Sequence, residues 1–413
     1  MELKKFSGIA NTATPESMPA GALVTAVNVD IDDAGHLRRR RGTTLIDSGK
    51  YHSIFKTRDD TVFAVKNGDL CRLNYALQPT VIRAGVGAER LHYVQLGDRH
   101  YAKSSTTSVS FLDDGTVQDW GVPHVPIFAV TPTQGVLPAG TYQVAVTYVR
   151  RSDGLEGGVS TAITLITLAA VGGLIVSGIP VMSGYSANVY VSTPNGEELY
   201  LAATGVTSPI AVSDSPQELG VPLRTRGKYP PPGRGPITKH FGRILIADGS
   251  VLWATDAYQV EQVDMLTGYK MLEGRITLLA SVTTGTFIGT EAGIFFLDGS
   301  FESAKLIRLS INSAPDQVPP KVDMATLQEG KDQDMGVLFL TDAGVCIGKS
   351  DGTIQNMTNK VFEFPKASEA ALLYRRQDGL NQFVGVSSHP GTPVGSARFG
   401  DYVDAEIIRF KGV

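Results

Sequence analysis

Chemistry-bearing clusters are scarce in this chain. Of its 413 residues only two are cysteine, Cys71 and Cys346, and each lies alone inside an apolar run. With no Cys-x-x-Cys pair and no larger cysteine set, neither a disulfide-stapled fold nor a thiolate metal site is expected, and both thiols read as small buried hydrophobes. The seven histidines, at positions 36, 52, 92, 100, 124, 240 and 389, are dispersed. None forms a His-x-x-x-His pair, so no metal site is expected. No Gly-x-Ser-x-Gly elbow or phosphate loop is present, and Gly85-Val86-Gly87 lacks the third glycine and the helical sequel of a dinucleotide site. The reading is therefore non-enzymatic: no catalytic residue, no metal and no cofactor.

Basic excess is also missing. The formal net charge is −4, which gives no bulk attraction for nucleic acid. Long apolar runs are absent as well. The most apolar stretch, residues 162–181, is interrupted by Thr164, Thr167, Gly172, Gly173, Ser177 and Gly178, and reads as two strands rather than a membrane span. The opening Met-Glu-Leu-Lys-Lys leads into polar sequence without the apolar core of a signal peptide. Synthesis and folding in a cytoplasm, without membrane insertion, are expected.

What the chain does have is turns. It carries 45 glycines and 22 prolines, few windows of 3.6-residue apolar period, and frequent alternation, which together predict an all-β protein. One unit recurs: apolar strand, Gly-centred turn, apolar strand. It spans Val62–Leu73 around Asn67-Gly68, returns at Ile244–Trp253 around Asp248-Gly249, at Phe287–Leu297 around Ala292-Gly293, and at Val337–Ile347 around Ala343-Gly344. Glycine supplies the positive φ that such turns require. The last three copies start about 40 to 50 residues apart, the length of a four-stranded propeller blade.

Between these copies the character changes. Pro123, Pro126 and Pro132 mark a boundary, after which strands lengthen and alternate cleanly; Tyr142, Val144, Val146 and Tyr148 fall on one face. Val189–Val191 and Leu199–Leu201 flank a Pro194-Asn195-Gly196 turn. About 100 residues with about seven short strands is the size of an immunoglobulin or fibronectin type III sandwich, and the stretch from Gly140 to Tyr148 with the Asp153-Gly154 turn resembles the latter. Tyr229-Pro230-Pro231-Pro232 then makes a stiff return linker. The predicted organisation is an extended arm and first hairpin over 1–50, a first run of β-propeller blades over 51–122, an inserted sandwich over 123–226, and a second run of blades with a closing strand over 227–413. Units near 62, 100, 244, 287, 338 and 383 give about six blades. The final stretch, Asp404 to Phe410, reads as a strand expected to complete a blade begun by N-terminal residues.

Few residues stand out as sites. Asp30, Asp32, Asp33 and Gly35 loosely match a calcium loop but lack its late bidentate acid, so a hairpin turn is expected. The acidic pairs Asp59-Asp60, Asp113-Asp114 and Glu197-Glu198 read as solvated turns. Arg38-Arg39-Arg40-Arg41 is the one sharp charge run. On a strand at most two of these guanidiniums share a face. The run reads as a solvated strand, as a contact with an acidic neighbouring subunit, or as a contact with passing DNA phosphate.

The opening carries a further pattern. Phe6-Ser7-Gly8-Ile9 is followed by Pro15-Glu16-Ser17-Met18-Pro19, Ala26-Val27-Asn28-Val29-Asp30, and Gly35-His36-Leu37 leading into the four arginines and Gly42. This resembles the opening of bacteriophage tail structural proteins, including β-propeller nozzle proteins of short-tailed phages and related proteins encoded beside the tail-tip genes of long-tailed ones. The resemblance implies a virion protein without catalytic residues. It implies identical subunits in a ring, contacts with other tail or portal-adaptor proteins, and double-stranded DNA passing without sequence specificity. Arg38, Arg39, Arg40 and Arg41 would then lie at an assembly interface. The alternative is a tail-tip propeller recognising a host-surface glycan through exposed aromatics, with Trp120, Trp253, Tyr142 and Tyr190 as candidates whose other role is core packing. A glycan hydrolase on a propeller is a third reading, distinguished by sugar release from host envelope.

Overall fold

The tight turns use backbone that only small or amide residues adopt cheaply. In Lys66-Asn67-Gly68-Asp69, Asn67 stands at φ 52° and Gly68 at φ 89°, and Lys66 pairs directly with Asp69. Two successive left-handed residues give the hairpin twist that matches the flanking strands. A second device recurs at Thr290-Glu291-Ala292-Gly293 and Thr341-Asp342-Ala343-Gly344. In the first, Thr290 Oγ1 accepts from the Ala292 amide at 3.0 Å and donates to the Gly293 carbonyl at 3.1 Å. In the second, Thr341 Oγ1 accepts from the Ala343 amide at 3.3 Å and donates to the Gly344 carbonyl at 3.1 Å. The hydroxyl closes the loop locally. Gly293 and Gly344 have φ of 151° and 119°, and a Cβ at either would run into the Ser310 carbonyl or the Thr358 hydroxyl.

The computed structural model describes residues 5–6, 8–10, 12–24, 26, 28–32, 34–39, 44–159, 163–206, 208–213, 220–327, 334–358, 366–377, 380–388 and 406–409. The protein is all-β, with one short α-helix, Met324–Leu327, among the described residues. Six antiparallel meanders hold most strands. The first comprises Tyr51–Lys56, Val62–Lys66, Asp69–Leu73 and Pro79–Arg83, and the second His92–Leu96, Arg99–Lys103, Ser108–Phe111 and Val117–Asp119. The third comprises Ile237–His240, Arg243–Asp248, Val251–Ala254 and Tyr269–Met271, and the fourth Ile276–Ser281, Gly285–Thr290, Gly293–Asp298 and Lys305–Ser310. Lys321–Asp323, Met335–Thr341, Gly344–Gly348 and Ile354–Asn356 form the fifth; Glu369–Gln377, Leu380–Ser388 and Glu406–Arg409 form the sixth.

Each meander shares an apolar core with the next. Phe63 and Val65 pack with Val109 and Phe111; Val94 and Trp120 with Ile244 and Ile246; Leu245 and Leu252 with Leu279 and Ile288; Phe287 and Phe296 with Val337 and Phe339; Leu338 and Ile347 with Ala370 and Phe383. Successive residues of one strand serve opposite cores, as with Phe287 and Ile288. Burial of both faces explains why these strands read as continuous apolar runs.

Between the second and third meanders, two further sheets enclose a separate core. One orders Ala129–Leu137, Gly172–Ser177 and Ile210–Val212; the other orders Thr164–Leu168, Gly140–Arg150, Tyr185–Ser192 and Leu199–Val206. Tyr142, Val144, Val146 and Tyr148 all enter this core, with Leu174, Val176, Val189 and Val191. Within the apolar stretch, Thr164–Leu168 and Gly172–Ser177 are strands of different sheets. No helix among the described residues is long and apolar enough to cross a membrane.

Two sequence expectations change. The strand Glu406–Arg409 pairs antiparallel with Leu380–Ser388, its own meander, and with no N-terminal strand among the described residues; the sixth meander's apolar hairpin offers it a longer ladder than the two- and three-residue strands of the arm. The arm itself is folded rather than extended. Gly8–Ile9 pairs in parallel with Ala22–Leu23 around a single 3₁₀ turn at Pro15–Ser17. Val29–Ile31 pairs with Leu37–Arg39, and the Phe6 amide donates to the Gly35 carbonyl at 2.9 Å.

One side chain ties the run of meanders back on itself. Arg90, between the first and second, donates through Nη1 to the Asp316 carbonyl at 2.9 Å and to Asp316 Oδ1 at 2.8 Å. Through Nη2 it donates to the Ala370 carbonyl of the sixth meander at 3.1 Å. Burial pushes the Asp316 carboxyl up, and Arg90 opposes that shift. Side-chain exposures of 26% and 23% place the pair short of full burial, so Arg90→Ala should cost about 2–3 kcal/mol, below the range for fully buried pairs. Denaturant unfolding checks the magnitude. Hydrogen exchange should quicken at the Ala370 amide, which donates to the Asp316 carbonyl; unchanged exchange there would show that Arg90 is not the tie.

Candidate functional site

Three of the four aromatic side chains singled out by sequence are buried, and the fourth is half-buried. Trp120 is buried between the second and third meanders, and its Nε1 donates to the Val260 carbonyl at 2.7 Å. Tyr142 is fully buried and its hydroxyl donates to the Pro138 carbonyl at 2.7 Å. Tyr190 is buried and donates to Glu156 Oε1 at 2.8 Å; burial first, and Glu156 second, push its phenol up. Trp253 is half-buried against Tyr269, with ring centroids 5.3 Å apart. The expectation of an exposed aromatic platform is thus corrected: these rings complete cores, and three of their polar handles are satisfied internally.

Arg38 and Arg39 are exposed on the hairpin strand Leu37–Arg39, opposite Asp30 and Val29 respectively. Arg40 and Arg41 lie outside the described residues. The neighbouring acidic loop is a turn: Asp32 Oδ1 accepts from the His36 amide at 2.8 Å, and Gly35 stands at φ 84°. Asp33 also lies outside the described residues. No group of acidic, histidine or cysteine side chains that would hold a metal is found among the described residues. Cys71 and Cys346 are buried and free.

Sequence reading missed two arrangements. The first joins the inserted two-sheet unit to the meanders. Arg150, at the end of Gly140–Arg150, pairs with Asp153 through Nη2 at 2.7 Å and donates to the Asp119 carbonyl at 2.8 Å. It also reaches Glu261 at 3.4 Å. Burial raises the Glu261 carboxyl, while the Gly121 amide, 2.6 Å away, and Arg150 pull it down. Gln262 donates to the Glu156 carbonyl at 2.6 Å. Alongside, Lys103 Nζ donates to the Pro231 carbonyl at 2.7 Å and lies 5.4 Å from the Trp120 ring centre. Burial pulls Lys103 down to about 8. The return linker is thereby pinned, and the inserted unit is seated by buried polar bonds rather than by a flexible hinge.

The second is a cavity of about 560 Å³ where four successive meanders converge. Leu96 ends the first strand of the second meander; Lys239 lies near the end of the first strand of the third, and Phe241 at the turn that follows. Thr283 follows the first strand of the fourth, and Lys321 and Met335 begin strands of the fifth. Beneath Lys239 a polar chain crosses between the third and fourth meanders. Thr238 and Ser281 hydroxyls lie 2.9 Å apart, Ser281 and Thr286 3.0 Å, and His240 Nδ1 lies 3.0 Å from Thr286 Oγ1.

No protein family and no curated protein matches the chain. Among solved structures, similarity is found to apo AztD from Citrobacter koseri, at 10% identity and TM-score 0.26, covering 81% of this chain and 93% of that one. It is also found to the extracellular domain of the hybrid two-component system BT3049 from B. thetaiotaomicron, at 11% identity and TM-score 0.22, covering 97% of this chain and 52% of that one. Likenesses this low bear on neither site nor function.

Two outcomes follow. Arg150→Ala leaves Glu261 buried without its cation and should cost about 3–5 kcal/mol; adding Glu261→Gln should restore some of that loss, read as a double-mutant cycle in denaturant. His240 is held down to about 4, chiefly by burial, from an ordinary value of 6.5. Between those pH values the unfolded chain binds the extra proton, so stability falls as pH drops through that window. Relative to His240→Gln, the native protein should lose about 3 kcal/mol between pH 7 and pH 4, measurable by urea unfolding at several pH values.

Proposed function

We propose that this chain is a non-enzymatic structural subunit of a phage tail, a nozzle, hub or distal component of the virion. Identical copies form a ring around the DNA path and contact other tail or portal-adaptor proteins. On this reading the six meanders are blades of a β-propeller, and the unit from Ala129 to Val212 is an inserted immunoglobulin or fibronectin III-like sandwich. The convergence of four meanders on one cavity and the Arg90 tie support a circular arrangement. DNA passes without sequence-specific contacts, consistent with the net charge of −4.

The observation that carries the proposal is the state of the N-terminal segment. Its hydrogen bonds close on itself, from Phe6 to Gly35 and from Ala10 to Leu23. Yet it and the residues after it leave large apolar side chains in water: Val24 is 61% exposed, Leu45 80%, Ile46 61% and Ile54 68%. Such a concentration suits burial against a neighbour, and Arg38 and Arg39 beside it suit carboxylate recognition through paired donors. This is also the segment that resembles the opening of tail proteins. Of the four aromatics named for the glycan-recognition alternative, Trp120, Tyr142 and Tyr190 are buried and Trp253 is half-buried.

Negative-stain microscopy of the purified chain should show rings. Deleting residues 1–39, or introducing Arg38→Glu with Arg39→Glu, should leave circular dichroism unchanged while abolishing rings and, in complementation, infectious particles. Antibody labelling should mark the tail of intact particles. Unlabelled particles, or normal yield from the deletion, would sink the proposal.

A further inference from the structure

The cavity shared by the second to fifth meanders has a charge arrangement that the fold does not explain. Lys239 and Lys321 both line it, and no acidic side chain does. Neither ammonium makes an ion pair among the described residues. Burial, and then the charge of Lys239, push Lys321 down. Both side chains are exposed, and two like charges on the wall of one cavity oppose each other; an anion between them relieves that repulsion.

The rest of the lining is of another kind. Phe241, Met335 and Leu96 supply apolar surface. Phe241 and Met335 are each close to half-exposed, so some of that surface is open to solvent. Phe241 also holds a left-handed φ of 43°. A bulky residue there stores strain, and such outliers cluster at binding sites. Its ring is fixed edge-to-face on His240, with centroids 4.7 Å apart, while the Gly242 carbonyl accepts from the Tyr258 amide at 2.9 Å. Thr283, exposed at the rim, adds a hydroxyl. The volume of about 560 Å³ lies within the range of small-molecule sites and is far too small for a DNA duplex.

We propose that this cavity binds a small organic anion, an oxyanion carried on a ring-sized body, with Lys239 and Lys321 on the charge and Phe241 and Met335 against the body. Two sources share that chemistry: a carboxylated sugar and a phosphorylated sugar. The site stands independently of the tail proposal, since it rests on no residue of the N-terminal segment.

Isothermal titration of the full-length protein with D-glucuronate, D-glucose 6-phosphate, inorganic phosphate and D-glucose tests it. At least one of the first two should bind about tenfold or more tightly than both inorganic phosphate and glucose, and which one does so identifies the source. Lys239→Gln with Lys321→Gln, both solvent-facing changes, should abolish that binding. Phe241→Ala should weaken the sugar anion and leave inorganic phosphate unchanged. The proposal is overturned if neither sugar anion outbinds glucose, if inorganic phosphate binds as tightly as both, or if the double lysine variant binds like the native protein.

Discussion

The guanidinium of Arg90 is the point on which the long-range arrangement turns. Every apolar core among the meanders joins sequence neighbours: first to second, and so on to fifth to sixth. Such a stack is quasi-linear, with each unit stabilised mainly by the next. Arg90 contacts Asp316 and Ala370, residues 226 and 280 positions away, and so converts local stacking into a global constraint. Arginine suits this position because its planar fork spends three donor bonds on acceptors from two segments. A lysine there would offer a point charge and lose the bridging geometry. The Asp316 amide in turn donates to the Ser368 carbonyl at 3.0 Å, so the tie is built into backbone pairing rather than hung on a loose side chain.

Around that constraint, packing is continuous and unforgiving. All six residues of Gly285–Thr290 are buried, and a Cβ at Gly348 would strike the Phe287 ring. Interiors packed to this degree transmit displacement instead of absorbing it. The paired Thr-x-Ala-Gly turns reinforce the effect, because each closes its hairpin with a side-chain hydroxyl and leaves no slack in register. A scaffold of this type presents its edges and turns in fixed positions.

Much of the fold was legible in sequence for a simple reason. Tight turns need particular residues, so Asn67-Gly68, Ala292-Gly293 and Ala343-Gly344 announce themselves; alternation in residues 141–148 reports a half-buried strand directly. What sequence hid is long-range. Arg90, Arg150 and Glu261 look like ordinary surface charges, and only the fold removes water from around them. Lys239 and Lys321 are isolated in sequence and become neighbours because two strands from different meanders end at the same place. The aromatics failed for the opposite reason: Trp120 and Tyr190 carry polar handles that suit an exposed platform, but nearby carbonyl and carboxylate groups satisfy those handles in the interior.

The N-terminal segment differs from all of this in kind. Its strands are two or three residues long, and Ala10 is its one buried apolar side chain among the described residues. A segment with so few buried contacts contributes little to global stability and opens at low cost. The cores shared by the meanders, by contrast, include no residue of that segment. This division has a mechanical logic. A subunit that must fold before it assembles cannot draw its core from a neighbour, because the isolated chain would then expose that core and aggregate. In the assembly proposed above, it would instead keep one weakly tied segment, with the exposed Val24 and the following Leu45 and Ile46 gaining burial on contact. The free energy of that assembly would come from surface that folding does not use, so assembly and folding would not compete for the same residues.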